Sequence, residues 1–388
     1  MSPQSRREYL AALYWRYRRA NRRAKSIILD EFCQTSGYHR KHAIRLLKRF
    51  RPFITPDPRK RGRKPNYDYN AILPPLKRIW LAANQPCGKR LKAVLPLWLP
   101  GYAQIYDHLP QETTQQLLRL SAATIDRLLQ HTRLIQGRRG RATTKPGTLL
   151  KTHIPVKLDQ WNETKPGFLE ADTVAHCGDS ASGTFVFTID TVDIATGWTE
   201  QRAVWGKGET GVLTQIKDIE QTLPFPLRGF DSDNGSEFLN YHLWKYLCHR
   251  KNPVQFTRSR AYHKDDNAHI EQKNWTHVRE WLGYYRFDHA DFVPLLNDLY
   301  TSEWRFFHNF FCPSSKLIEK PAPAAAKPRK RYDSPKTPLQ RLLLSTDIHD
   351  ALKNTLRDQA AALNPFLLRR AIESKLKRIF ALHSKINA

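Results

Sequence analysis

The sequence predicts a multidomain chain: two helical modules of helix-turn-helix type, an α/β domain built on a mixed sheet, and a small helical C-terminal region. Three observations carry that expectation. Apolar residues recur at helical spacing up to about residue 135, turn strand-like from Gly167, and then alternate between the two patterns. Stretches rich in Pro, Gly and basic residues separate these regimes and cannot bury a core. Charge is uneven, with 19 Lys and Arg against 4 Asp and Glu in residues 1–66, a net 15 of the chain's +28.

The resulting division places a basic helix-turn-helix domain at 1–55, a linker at 56–68, a second helical domain at 69–135 and a linker at 136–160. The α/β domain then occupies 161–317, a Pro/Ala/Lys linker 318–338 and the helical region 339–388. The whole chain has 64 Lys and Arg against 36 Asp and Glu, so a polyanion is its expected partner, and double-stranded DNA leads. No apolar run approaches the roughly 20 residues that span a bilayer, and the start "MSPQSRREYL" lacks a signal peptide's apolar core. A cytoplasmic, nucleoid-associated protein without a membrane partner is expected. The five cysteines form no CxxC pair, which argues against a zinc module or a disulfide framework.

In the first domain, apolar spacing breaks at "TSGYH", where Gly37 permits a tight turn between two helices. The second of these, about residues 39 to 50, would turn His39, Arg40, Lys41, Arg45 and Lys48 outward, as a groove-reading helix does. A solvated basic face on a helical bundle has the same pattern. Within the following linker, "RGRKP" offers Arg61, Arg63 and Lys64 as an extended arm of the kind drawn into a narrow minor groove. The second module ends in "LPQETTQQLLRLSAATIDRLLQHTR", where Pro110 suits a first helical turn and Ser121 a cap. Thr124, Arg127 and Gln130 would then face outward, with Ile125, Leu128 and Leu129 inward.

"GFLEADTVAH", "GTFVFTIDTVDI" and "GWTEQRAVW" read as three successive antiparallel strands with turns at Gly183 and "ATG". A helix near 209–222, a strand "LRGFDSD", a helix from Glu237 to about Arg250, a strand "PVQFTRS" and a long helix through "NAHIEQKNWTHVREWLGYY" follow. A meander that passes into strand–helix alternation describes a mixed sheet flanked by helices. In that order Asp172 falls in the first strand, Asp233 just beyond the fourth and Glu271 early in the long helix. Asp231 shares strand parity with Asp233, so side-chain alternation does not choose between them. Asp190 and Asp193 lie in or near the second strand, where they could approach these acids, but read rather as turn or edge residues, and Asp265 and Asp266 as helix caps.

The segments "EADT", "DSDNGSEF" and "DDNAHIEQKN" resemble the motifs of DDE transposases and retroviral integrases, whose core is ribonuclease H-like. The likeness covers residues 161–317 and extends to "FFHNFFCPSSKL", similar to the loop that ends such cores. It implies Asp172, Asp233 and Glu271 as the acids that bind metal and carry catalysis, with Asn-Gly after Asp233 deciding against Asp231. It also implies two Mg²⁺ ions, for which Mn²⁺ substitutes, shared so that Asp172 bridges both while Asp233 and Glu271 each complete one. Hard cations about 3.5–4 Å apart suit in-line displacement at phosphorus, where charge grows on attacking and leaving oxygens. The expected activity is that of an insertion-sequence transposase, 3′-end cleavage followed by strand transfer, performed by a multimer assembled on DNA. A regulator with a non-catalytic core and a nuclease without joining activity are the rival readings.

Family members place basic residues after the glutamate to hold DNA phosphates, which points to Lys273 and Asn274, and Lys264 lies in the preceding loop. The C-terminal region reads as two or three amphipathic helices broken at Pro365, suited to docking on DNA or on another subunit.

Overall fold

The structure is a computed structural model and describes residues 2–50, 67–136, 163–259, 268–319 and 331–387. It divides into two compact units, Met1–Asn66 and Tyr67–Ala388. Arg61, Arg63, Lys64, Lys264, Asp265 and Asp266 lie outside the described residues.

The first unit holds helices α1 (Pro3–Arg19), α2 (Arg22–Ser36) and α3 (Arg40–Arg49). Ser2 and Asn21 cap the first two helices with side-chain oxygens that accept from Ser5 N and Ala24 N. Gly37 ends α2 at φ 73°, a left-handed conformation in which a side chain would be strained, and its N–H donates to Cys33 O at 2.9 Å. Leu13, Leu29, Phe32, Ala43 and Leu47 meet in a core of the unit's own. Lys41, Arg45 and Lys48 stand exposed on α3. Arg40 differs from expectation: it pairs with Asp30 and donates to Ser26 Oγ at 2.6 Å, so it pins α3 to α2 rather than standing free.

The second unit opens with α4 (Tyr69–Ala82), α5 (Gly88–Tyr102), α6 (Gln111–Arg119) and α7 (Ala122–Gln136). Strands β1 (Phe168–Ala175), β2 (Val186–Asp193) and β3 (Thr199–Trp205) follow, then α8 (Glu209–Thr222), β4 (Gly229–Ser232), α9 (Tyr241–Cys248) and β5 (Gln255–Arg258). The sheet order is β3-β2-β1-β4-β5, antiparallel across β1, β2 and β3 and parallel across β1, β4 and β5. A mixed five-stranded sheet among helices, in this order, is compatible with the ribonuclease H-like core expected from the sequence.

A helical segment then runs through α10 (Ala268–Lys273), a π-helical stretch Asn274–Arg279 and α11 (Glu280–Leu282), and stops at Gly283 with φ 65°. It packs over β1 and β2. Next come α12 (Phe292–Leu299), a second π-helical stretch Tyr300–Trp304, α13 (Arg305–Phe311) and a two-stranded ribbon of β6 (Leu317–Glu319) and β7 (Arg331–Tyr332). Helices α14 (Pro338–Leu344), α15 (Asp350–Ala362) and α16 (Pro365–Ile386) complete the chain. No helix among the described residues is long and apolar enough to cross a membrane.

The helices on either side of the sheet domain share its core rather than standing as separate domains. Trp98 of α5 is fully buried, donates from Nε1 to Phe311 O at 3.1 Å, and meets the Phe366 ring of α16 edge-on at 4.9 Å. Gly101 lets Asn364 approach α5 closely, since a Cβ there would lie 3.0 Å from the amide that donates to Gly101 O. On α16, Lys375 pairs with Asp298 and Glu303 at 3.0 and 2.6 Å. Linker composition suggested independence, but these large apolar side chains find their partners only across the linkers. The C-terminal helices therefore dock on their own chain.

Trp98→Ala should cost about 3–5 kcal/mol, because it leaves a cavity where three helices meet and removes a buried hydrogen bond. Denaturant unfolding of the full chain checks this; a midpoint unchanged from the parent would mean that α5 and α16 contribute nothing to the sheet domain's stability.

Candidate active site

The acids gather where the parallel half of the sheet ends, the place where open α/β sheets form their crevices. Asp172 sits in β1, the central strand, directly opposite Asp190 of β2. Its Oδ1 accepts from Thr173 N at 2.7 Å and its Oδ2 from Asn274 Nδ2 at 2.6 Å. Burial, and then the charge of Asp233, push its carboxyl up to about 7.

Asp233 follows β4, with Oδ1 accepting from Gly235 N at 3.0 Å in the turn built on Asn234-Gly235. Burial and then the charge of Glu237 raise it above the ordinary aspartate range. Asp231 takes another role: it is fully buried and accepts from Thr257 Oγ1 across the β4–β5 pair, a tie within the sheet.

Glu237 was not anticipated as part of this cluster. The helix expected from Glu237 begins instead at Tyr241, because Asn240 caps it by accepting from Leu243 N at 2.9 Å. The shortened helix leaves Glu237 in the preceding turn, 2% exposed, where Oε1 accepts from Thr173 Oγ1 at 2.9 Å and pairs with the Lys207 ammonium. Its position four residues after Asp233 in "DSDNGSEF" was the available signal.

Glu271 stands exposed in the first turn of α10, with no hydrogen bond to a described residue. Asn274, one turn further on, enters the acid cluster and donates to Asp172. Lys273 is a correction: it is 8% exposed, turned into the protein because two residues rotate a helical position by about 200° from Glu271. Asp190 is a second correction, since it lies mid-strand in the interior of the sheet and accepts from Gln201 Nε2 at 2.7 Å. Linear spacing did not reveal the register that puts it opposite Asp172. Asp193 is a turn residue, accepting from Gly167 N and from Thr196 N and Oγ1. In the second helical module Arg127 and Gln130 are exposed, while half-buried Thr124 bonds within its own turn to Ser121.

Among the described residues no three His, Cys, Asp or Glu side chains converge as a ready metal site. The near cluster is Asp172, Asp233 and Glu237, partly answered by Asn274 and Lys207. Its donors are oxygens, the set that suits a hard divalent cation, and two carboxylates held in mutual repulsion form a place where such a cation is favoured.

No model of a known protein family matches the chain. It is 38% identical over 346 residues, 88% of this chain and 96% of the other, to the uncharacterized protein y4rM of Sinorhizobium fredii (strain NBRC 101917 / NGR234). Among solved structures, the catalytic core domain of BIV integrase superposes on 30% of this chain and 70% of its own length with 16% identity and a TM-score of 0.24. At that level the superposition carries no argument, and the case for the site rests on its own geometry.

Asp172 and Asp190 are both pushed up to about 7 from an ordinary 3.8. The unfolded chain releases these protons near the ordinary value while the folded chain keeps them, so the native state binds more protons in between. Stability should therefore fall as pH rises from about 4 to about 7, by at most about 1.4 kcal/mol per pH unit for each group. Asp190→Asn should flatten that dependence, read as urea midpoints against pH. An unchanged slope would show that Asp190 does not hold its proton in the folded protein.

Proposed function

We propose that this chain, which belongs to the family of the y4rM protein, is a metal-dependent DNA strand-transfer enzyme of the DDE transposase type. The observation that carries the reading is the approach of Asp233, at the end of β4, to Asp172 in the neighbouring strand β1, where its charge adds to burial in raising Asp172. Asp172 and Asp233 would hold the divalent ions, Mg²⁺ or Mn²⁺, with Glu271 reaching in from the solvent side of α10. Bound there, such ions would offset the negative charge that grows on the attacking and leaving oxygens of an in-line displacement at phosphorus. Asn274 orients Asp172 through the 2.6 Å hydrogen bond, and Thr173 and Lys207 hold Glu237 beside the cluster. DNA would be gripped by Lys41, Arg45 and Lys48 on α3, which are exposed and carry no acid partner among the described residues. Joining two element ends requires two active sites, and the described residues of this chain hold one acid cluster, so the active species would be a multimer on DNA.

Exposure of Glu271 favours one rival, a DNA-binding regulator with an inert core. Activity separates them. With duplex end DNA and Mg²⁺ or Mn²⁺, Asp172→Asn, Asp233→Asn and Glu271→Gln should each lose cleavage and joining by more than the roughly 10–100-fold typical of residues that only support a metal ligand, while DNA binding persists. Glu237→Gln should fall within that 10–100-fold range. Near-normal joining by Asp233→Asn or Glu271→Gln would sink the triad, and absence of any metal-dependent reaction in the parent protein on its end DNA would favour the regulator.

Replacing Lys41, Arg45 and Lys48 together by Ala should make the plot of log affinity against log salt shallower by about 0.9 for each phosphate that these side chains neutralise. Fluorescence anisotropy at several salt concentrations measures the slope. An unchanged slope would remove α3 from the DNA interface.

A further inference from the structure

On the side of α10 turned away from Glu271, a pocket of about 100 Å³, partly open to solvent, lies between the α4–α5 turn, α5, the π-helical stretch Asn274–Arg279, α13 and the chain just after α13. Arg90 of α5, Lys273, His277 and Trp281 of the α10–α11 segment, His308 of α13 and Cys312 line it. By volume it exceeds the roughly 10–15 Å³ that one water needs and falls short of the roughly 300 Å³ at which pockets for organic ligands begin. A small polyatomic ion is the class of occupant that fits.

Charge decides its sign. Lys273 is 8% exposed, and no hydrogen bond or ion pair with a described residue reaches its ammonium. The Arg90 guanidinium, also without such a partner, lies close enough to act electrostatically on Lys273, His277 and Cys312. His308 is 5% exposed, its ring stacked on His277 with centroids 4.0 Å apart, and its Nε2 has no hydrogen-bond partner. Among the described residues that line the cavity, Glu280 supplies the one carboxylate. Buried cations and buried imidazole nitrogens are costly to leave unanswered. Asp190 acts on Lys273 from outside the lining and Arg90 is half-exposed, but the void itself meets two cationic side chains and the orphaned His308 nitrogen.

We propose that the cavity is an oxyanion site that takes a phosphate group, held by Arg90 and Lys273 with His308 Nε2 as a third donor. Tetrahedral oxygens accept from a guanidinium and an ammonium at once, which suits this pair of donors. Occupancy ties α5 to the helical segment that carries Asn274, and through Asn274 to Asp172. The phosphate belongs either to a DNA backbone or to the free inorganic ion. Nothing in this inference depends on the chemistry proposed for the acids, and its test reads binding alone.

The test uses full-length protein labelled with ¹³C-histidine, with the His308 ring signal assigned by its loss in His308→Gln. Inorganic phosphate is titrated against sodium chloride of equal ionic strength. A saturable shift of the His308 signal with phosphate alone is expected, weakened about tenfold or more in Arg90→Gln and lost in Lys273→Met, as removal of a charge-assisted hydrogen bond implies. Lys41→Met, on α3, should leave the titration unchanged. Arg90 is half-exposed, so its variant tests the site even where Lys273→Met fails to fold. A duplex that displaces phosphate from the His308 signal identifies a backbone phosphate as the occupant, and one that binds alongside it identifies the free ion; both support the site. No saturable shift up to tens of millimolar phosphate, or the same shift in both variants, would overturn it and assign phosphate binding to the basic surface at large.

Discussion

Repulsion between Asp172 and Asp233 is the constraint around which the second unit is arranged. Two carboxylates that share a poorly solvated place cannot both ionise freely, and each neighbour either relieves that tension or adds to it. Asn274 relieves it with a hydrogen bond to Asp172, and Lys207 relieves it indirectly by pairing with Glu237. Glu237 and Asp190 add to it, the first through its charge on Asp233 and the second as a buried acid facing Asp172 across the strands. Such an arrangement works against stability, and a fold keeps it where other contacts are strong enough to hold it.

Those contacts come largely from outside the sheet. The helical segment that carries Glu271 and Asn274 rests on β1 and β2, and α13, which holds the Trp98 indole through Phe311 O, packs beside it with His308 stacked on His277. Helix α5 thereby reaches the acid cluster without touching it. Helix α16 closes the same layer with Phe366 against Trp98 and Lys375 against Glu303. Residues 69–135 and 339–387 thus brace the site mechanically, whatever else they bind.

Much of this was legible in the sequence because it rested on local patterns. Runs of β-branched and aromatic residues between turns located β1 to β3, Gly37 marked the end of α2, and Asn-Gly marked the turn after β4, since each needs only neighbouring residues to express itself. What escaped depended on register or on rotation. Asp190 was placed at an edge because pairing across β1 and β2, not spacing along the chain, sets it opposite Asp172. Lys273 was placed outside because a basic residue beside a glutamate reads as surface until the helix's phase is known. Glu237 was assigned to a helix that the Asn240 cap starts four residues later. The modules were separated at linkers by composition, whereas the aromatics Trp98 and Phe366 beyond those linkers pack into one core with the sheet domain.

The exposure of Glu271 has a physical logic of its own within the proposed chemistry. A third carboxylate buried beside Asp172 and Asp233 would meet two like charges in a medium that screens poorly, and would take up a proton rather than remain a ligand. Glu237 shows what burial of another acid here requires: a lysine partner and a threonine donor. Among the described residues Glu271 has neither, and its place on the solvent side of α10 leaves the cluster open. In the proposed chemistry a carboxylate so placed would close on the site only with a cation there to offset the repulsion, so assembly of the three acids would be driven by the metal itself and by the DNA that carries it, and not by the fold alone.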